Sequence, residues 1–354
     1  MDVVFLIAAL LIILAGAELF TNGIEWFGRK LDLAEGMVGS VLAAIGTALP
    51  ETMIPIVAIA FAGTAGTVDE AHGVGVGAIL GAPFTLATLA MFVTGVTVIA
   101  RRRGSRDRLL IKPEILRKDV SYFLVAYCLA VAAAFLPHDL GLVKVGVAAV
   151  LLVIYVVYVA GHFRADPDVD ASDLSPLRFH RLDRQAHAHD PATPRLRIVN
   201  AQVLGGAALI LGGAVLFVDA VQHISGQMGL PPTILALVIA PIATELPESF
   251  NGVIWMRKAK DTLAMGNITG AMVFQSCIPT VIALLFAADA WTVDFSSTQS
   301  LIEFASAGIA ILSTVVIFLP MFRGRPLTGR MLLIGGAFYV GYLALVGASL
   351  AGLI

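Results

Sequence analysis

Charge is what this chain has least of. Of its 354 residues 14% are charged and 58% hydrophobic, and the mean hydropathy is +0.90. A chain this apolar cannot clothe a water-facing surface, which excludes a soluble globule and implies a polytopic membrane protein. Cysteine is nearly missing too. Cys128 and Cys277 are the only two, both lie in apolar runs, and they read as packing residues instead of a disulfide or a metal pair. There is no Gly-x-x-x-x-Gly-Lys-Ser/Thr loop, which argues against ATP-driven pumping. A nucleophile elbow, a His-Glu-x-x-His motif and a cofactor fingerprint are also lacking, so neither an enzyme nor a resident cofactor is implied. The net charge of −2, with basic residues scattered over short loops, offers no nucleic-acid surface.

What is present is long apolar runs. Windows of about 20 residues give ten candidate spans, roughly 3–27, 34–63, 73–99, 118–136, 140–161, 198–223, 231–256, 262–287, 299–320 and 331–352. The chain from Val3 onward has neither the basic leader nor the cleavage site of a removable signal peptide, so it counts as the first span. Basic residues fall in every second loop: Arg29 and Lys30, Arg101 to Lys118, Arg164 to Arg197, Arg257 to Lys260, and Arg323 to Arg330. Of the 23 basic residues, Lys144 alone lies elsewhere. The positive-inside rule then sets the basic loops in the cytoplasm and both termini outside, in the plasma (inner) membrane of a bacterial-type cell.

Two short stretches carry the chemistry. Gly46-Thr47-Ala48-Leu49-Pro50-Glu51 is echoed by Ala243-Thr244-Glu245-Leu246-Pro247-Glu248. An offset of 197 carries Gly16, Leu19, Ile45, Thr47, Leu49, Pro50 and Glu51 onto Gly213, Leu216, Ile242, Thr244, Leu246, Pro247 and Glu248 without a gap. This is an internal repeat of half the chain. With the charge pattern it becomes an inverted one, because span 1 runs inward and span 6 outward. The expected architecture is therefore all-α, ten transmembrane helices in an inverted five-plus-five repeat. Residues 1–162 and 198–354 are the halves, and 163–197 is a cytoplasmic linker.

An ionised side chain near the bilayer centre costs about 2.5–3.5 kcal/mol on insertion scales, so it faces a partner, a cavity or an ion. The spans hold almost no basic partner for Glu51 and Glu248. Each proline withholds the amide that would satisfy the carbonyl four residues earlier, Gly46 or Ala243. Thr47 and Thr244 lie one turn before the glutamates and share their face if the turn stays helical, although a membrane threonine commonly bonds back to its own helix. Carbonyl, hydroxyl and carboxylate oxygens from two opposed helices suit a hard cation such as calcium, which takes about six to eight oxygens.

The Gly-Thr-x-Leu-Pro-Glu pattern, with Gly266-Asn267-Ile268-Thr269-Gly270-Ala271 in the following span, resembles the alpha repeats of the cation/calcium exchanger superfamily. That resemblance implies a ten-helix inverted repeat and exchange of sodium or protons for calcium by alternating access at a central site. It implies Glu51 and Glu248 as calcium ligands, and Thr47 and Thr244 as residues beside the sodium sites. The chain departs from the pattern where the family has a polar side chain and this sequence has Pro83 and Met272. The first repeat also reads Gly77-Ala78-Ile79-Leu80-Gly81, with no asparagine, and Glu245 stands where serine is usual. Glu245 either supplies the missing oxygen or holds a proton because like charges crowd it.

The expected cation ligands are thus Thr47, Glu51, Thr244, Glu245 and Glu248, with transported cations and the lipid bilayer as partners. Glu18, Asn251, Gln275 and Glu303 rank lower: Glu18 contacts the site or sits at the interface near Arg29 and Lys30, and Glu303 sits at the interface. Gly16 and Gly213 are hinges or close-packing points. Still open are an exchanger of altered or proton-coupled specificity, a passive channel, a membrane-embedded acid/base enzyme, and a cation-sensing homologue that no longer transports.

Overall fold

Hydrocarbon cannot hydrogen-bond a peptide group, so a chain that crosses it must pair its backbone internally, and the apolar runs here do so as helices. The computed structural model describes residues 2–30, 48–60, 68–101, 107–137, 140–163, 175–182, 194–229 and 261–353, with 234, 236–238, 241, 245, 252–253, 255–257 and 259. In chain order the helices are α1 (Asp2–Lys30), α2 (Leu49–Ala60), α3 (Val68–Thr85), α4 (Met91–Arg101), α5 (Pro113–Ala133), α6 (Gly141–Phe163), α7 (Leu196–Met228), α8 (Asp261–Phe286), α9 (Thr298–Phe322), the short α10 (Gly329–Leu332) and α11 (Ile334–Leu350). Among the described residues there is no strand, only a bridge between Arg108 and Thr328.

Seven helical stretches among the described residues are long and apolar enough to cross a membrane. They coincide with expected spans 1, 3, 5, 6, 8, 9 and 10. Span 4 is α5, whose first turns carry Arg117, Lys118 and Asp119. Spans 2 and 7 fall largely on residues outside those described. Helix ends follow local chemistry. Ser297 and Thr328 accept from the amides of Ser300 and Met331, and α7 stops at Gly229, whose φ of 65° suits a residue without a Cβ. Outward faces are apolar: on α6, Leu142 is 89% exposed, with Val153, Val156 and Val157 beside it. In water such a face would aggregate; against lipid it needs no partner.

Two layers of packing emerge. In the first, α1 lies against α7. A Cβ on Gly16 would stand 2.9 Å from the Gly206 carbonyl oxygen and from Ile210, and one on Gly213 would stand 3.1 Å from the Ala9 carbonyl oxygen and 2.7 Å from Ile13. The same 197-residue offset that relates the motifs carries Ala9 to Gly206 and Ile13 to Ile210. The interface is thus two copies of one contact, and the helices run antiparallel. Gly16 and Gly213 are packing points. In the second layer α2, α3, α5 and α6 surround α8, around a core that includes Phe84, Phe123, Tyr127 and Trp291.

Between α3 and α4 the helix widens into a π turn, Leu86–Ala90, just after Pro83. Neighbours meet the loosened backbone: Ser313 of α9 donates to the Ala87 carbonyl at 2.8 Å, and Gly335 of α11 sits against the Thr88 carbonyl, leaving no room for a Cβ.

The loops correct several expectations. The linker is not simply solvated: at 175–179 it is strapped across α1 and α7. The Ser175 carbonyl accepts from Asn22 at 3.2 Å and Trp26 at 2.9 Å, the Phe179 amide donates to Gln202 at 2.8 Å, and Leu177 is buried with Trp26 and Val199. Glu18 pairs with Arg178 of this strap at 2.8 Å. Glu303, near the start of α9, is buried and accepts from Gln299 at 2.7 Å. Cys277 is buried as a packing residue, whereas Cys128 is exposed, and both thiols are free. Arg101 donates to the Met256 carbonyl.

Lys144, the exception to the charge pattern, is caged. It is 1% exposed, and its ammonium donates to the carbonyls of Ala288 at 2.6 Å and Trp291 at 3.1 Å and to the Thr292 hydroxyl at 2.6 Å. Its three donors are used up in closing the turn after α8. Lys144→Met is expected to strand these acceptors and lower stability by about 2 kcal/mol, read as a fall in the thermal midpoint of the detergent-purified protein; an unchanged midpoint contradicts the cage.

Candidate functional site

Glu51 lies in the first described turn of α2, where the helix dipole is positive, and it is 3% exposed. Pro55 stands four residues on, inside the helix. It has no amide for the Glu51 carbonyl, so backbone and side-chain oxygens of one residue come together at a weakened turn. Pro50 falls in the opening turn of the described helix, where proline is tolerated; the Gly46 carbonyl, which its missing amide would leave open, lies outside the described residues. The Thr52 hydroxyl bonds back to the Ala48 carbonyl at 3.0 Å, the local role that threonine takes by default.

Glu245, 1% exposed, belongs to a turn closed by its amide on the Pro241 carbonyl at 2.9 Å. That turn presses on α3. A Cβ on Gly81 would stand 2.6 Å from the Pro241 ring and would run into the Leu237 carbonyl. The glycine of the first repeat's second motif is therefore the seat of the second repeat's first motif. From α8, Gln275 donates through Nε2 to Glu245 Oε1 at 2.9 Å. Gln275 thus bridges α8 and the turn that carries Glu245. Its own Oε1 is buried with no hydrogen-bond partner among the described residues, and Pro279 leaves its backbone carbonyl without an amide. Asn267, two turns earlier on α8, is 1% exposed, with neither amide atom partnered among the described residues.

Of the five expected ligands, then, Glu51 and Glu245 are described and buried. The helix of Glu51 packs on α8, and Glu245 is bonded to α8. Thr47, Thr244 and Glu248 lie outside the described residues, as do Asn251, Arg102, Arg103, His187, His189 and Asp190. Met272 is fully buried and brings no polar atom.

One buried carboxylate was not anticipated. Asp119 of α5 is 0% exposed; it accepts from Tyr158 of α6 at 3.0 Å and from Thr269 of α8 at 2.7 Å, with His162 Nε2 3.5 Å away. It ties α5, α6 and α8 together. Its signal was an acid inside an apolar segment, masked by the adjacent Arg117 and Lys118, which make that end of the helix read as interface.

The model of the sodium/calcium exchanger protein family matches residues 1–163 and 200–350. The chain belongs to that family. Among its relatives, a candidate antiporter named CaxA from Alkalimonas amylolytica is 28% identical over 272 residues, 77% of this chain and 76% of that one. The fold is that of solved exchangers. A crystal structure of the H+/Ca2+ exchanger CAX has a TM-score of 0.72 at 15% identity, covering 97% of this chain and 82% of that one. The sodium-calcium exchanger NCX_Mj, soaked with Na+ and Sr2+, gives 0.59 at 15% identity, with 97% of each covered.

At the positions where the sequence departs from the resembled pattern, Pro83 precedes the π turn, Met272 brings no oxygen, and Gln275, three residues along the same face of α8, brings an amide. Gly81→Ala is expected to push the Glu245 turn away from α3 and cut transport at least tenfold while the protein still inserts. Uptake per molecule of inserted protein is the measurement, and wild-type uptake would show that the contact is dispensable.

Proposed function

We propose that this exchanger-family protein is a secondary antiporter that exchanges Ca2+ for Na+ or H+ by alternating access. The cation is held by oxygens from Thr47, Glu51, Thr244, Glu245 and Glu248. The observation that carries the reading is a pair of buried acids, Glu51 and Glu245, one from each half, both on segments that meet α8. Two carboxylates withdrawn from water, with hardly any cationic side chain in the spans, are stabilised by a divalent ion that neutralises both. Gln275 and Asn267 extend the oxygen set from α8, and Gln275 fixes the orientation of Glu245.

The overall form we infer is ten transmembrane helices in an inverted five-plus-five repeat, with both termini outside the plasma membrane. Three observations support it: the alternation of basic loops, the consumption of Lys144 as an internal cap, and the antiparallel, twice-repeated contact of α1 with α7. On this reading α1 and α7 shift as a pair against the core formed by α2, α3, α8 and the segment around Glu245, exposing the site to each side in turn.

Proton coupling is the second reading. Glu245 adds a carboxylate that the usual serine lacks, and so gives the site one more group able to carry a proton. The test is uptake of radiolabelled calcium into proteoliposomes against an imposed sodium gradient and, separately, a proton gradient. Glu51→Gln and Glu248→Gln are expected to abolish uptake under both. Glu245→Gln is expected to change its pH dependence, and Gln275→Leu to weaken calcium affinity about tenfold, the loss of one charge-assisted contact. Full uptake by Glu51→Gln would refute the site, and unaltered ion and pH dependence in Glu245→Gln would leave that residue no role in coupling.

A further inference from the structure

Asp119 and His162 form a buried acid–imidazole pair that the proposed cation cage does not use. Asp119 is 0% and His162 7% exposed. The carboxylate accepts from two neutral hydroxyls, Tyr158 on Oδ1 and Thr269 on Oδ2. Among the described residues the group that forms an ion pair with it is His162, whose Nε2 lies 3.5 Å from Oδ1. A carboxylate withdrawn this far from water is stabilised by a proton on that nitrogen.

The other ring nitrogen has two neighbours with opposite demands. Nδ1 lies 2.9 Å from the Tyr158 carbonyl, which can only accept, and 3.4 Å from the Lys118 ammonium, which can only donate. A neutral ring with its proton on Nδ1 serves the carbonyl but turns a lone pair on the carboxylate. With its proton on Nε2 it serves Asp119 and Lys118 and leaves the carbonyl. With both protons it serves carbonyl and carboxylate together and repels Lys118. Adding a proton therefore exchanges the Lys118 contact for the Tyr158 carbonyl. Lys118 is seated 5.9 Å from the centre of the Tyr158 ring, in space that exists because residue 161 is glycine: a Cβ there would stand 2.5 Å from Nζ. Half-buried, the lysine keeps one side open to solvent.

The surrounding helices bring little else that titrates near neutrality. Tyr122 of α5 and Tyr155 of α6 pack around Tyr158, and α8 adds Cys277 near the same ring. Asp261, eight residues before Thr269, is about 12 Å away along α8 and accepts the Leu110 amide. The helix α9, which also packs on α5, has no titratable residue between Glu303 and Arg323. His162 itself lies in the last turn of α6, where the helix dipole favours a cation.

We propose that His162 is a proton-binding switch, with Asp119 as its counter-ion and Lys118 as the group that the proton displaces. It is distinct from any proton carried by Glu245. Because Asp119 also holds Thr269, a proton here changes how α6 is fastened to α8, the helix that bears Gln275. On the topology proposed above the last turn of α6 faces the cytoplasm, so cytoplasmic pH is the signal. The placement rests on that topology; the proton chemistry does not.

The test is the titration of the His162 ring in full-length protein in nanodiscs, read by NMR of nitrogen-labelled histidine and assigned by the signal lost in His162→Gln. The ring is expected to pass from the neutral form protonated on Nε2 to the imidazolium within about pH 5 to 8. Asp119→Asn should weaken proton binding about tenfold, and Lys118→Met should strengthen it about fivefold. Loss of packing alone does not give opposite shifts. Lys118 is half-buried, so its variant keeps the test decisive if Asp119→Asn fails to fold. A ring that keeps one charge and one tautomer over that range, or a titration that Lys118→Met leaves unmoved, overturns the proposal. Since no readout involves calcium movement, the outcome is independent of whether the antiport reading holds.

Discussion

Every polar group in this protein has to be met from within, because the surrounding hydrocarbon offers it nothing. That constraint explains features that would be optional in water. The π turn after Pro83 survives because a serine hydroxyl from α9 takes the carbonyl of Ala87. Lys144 is tolerated because its three donors are matched by acceptors from a single turn. Asp119 is tolerated because two hydroxyls from two other helices point at it. Glu51, Glu245, Gln275 and Asn267 bring acids, amide groups and proline-weakened turns together around one helix, and the proposed cation site draws on that composition.

Much of this was legible in the chain itself. Period and composition were enough for helices, the 197-residue offset for the duplication, and the proline-flanked acids for the region of the site. Glu51 was recognisable because the expected spans hold almost no basic residue, and Glu245 because it broke the repeat. What escaped were contacts between residues remote in sequence. Thr269 is 150 positions from Asp119 and Ala288 is 144 from Lys144, and nothing in local pattern links them. The strap of 175–179 was hidden for another reason: a polar, proline-broken stretch reads as solvated until the folded chain shows Asn22, Trp26 and Gln202 waiting with matching donors and acceptors. Pro55 was not singled out because it lies outside the repeated motif, and its place inside α2 shows only once the helix is drawn.

The halves are joined by more than the linker. Gly81 from the first half receives the turn bearing Glu245 from the second, and Gln275 then locks that turn to α8. Gly81, the turn bearing Glu245 and Gln275 thus form one chain of contacts. The first layer is different. Its contact between α1 and α7 joins small residues and backbone approach to hydrogen bonds from Gln202 of α7 to the Leu19 carbonyl at 2.8 Å and to Asn22 of α1 at 2.9 Å.

The doubling of that contact has an energetic corollary. Two equivalent patches have no polarity of their own, but one end of the pair also carries the strap of 175–179 and the hydrogen bonds of Gln202, and the 197-residue offset does not repeat them, since it carries Phe5 to Gln202 and Asn22 to Asp219. Whatever makes displacement in one direction more favourable then comes from the places where the copies differ, and that tethered end is one of them.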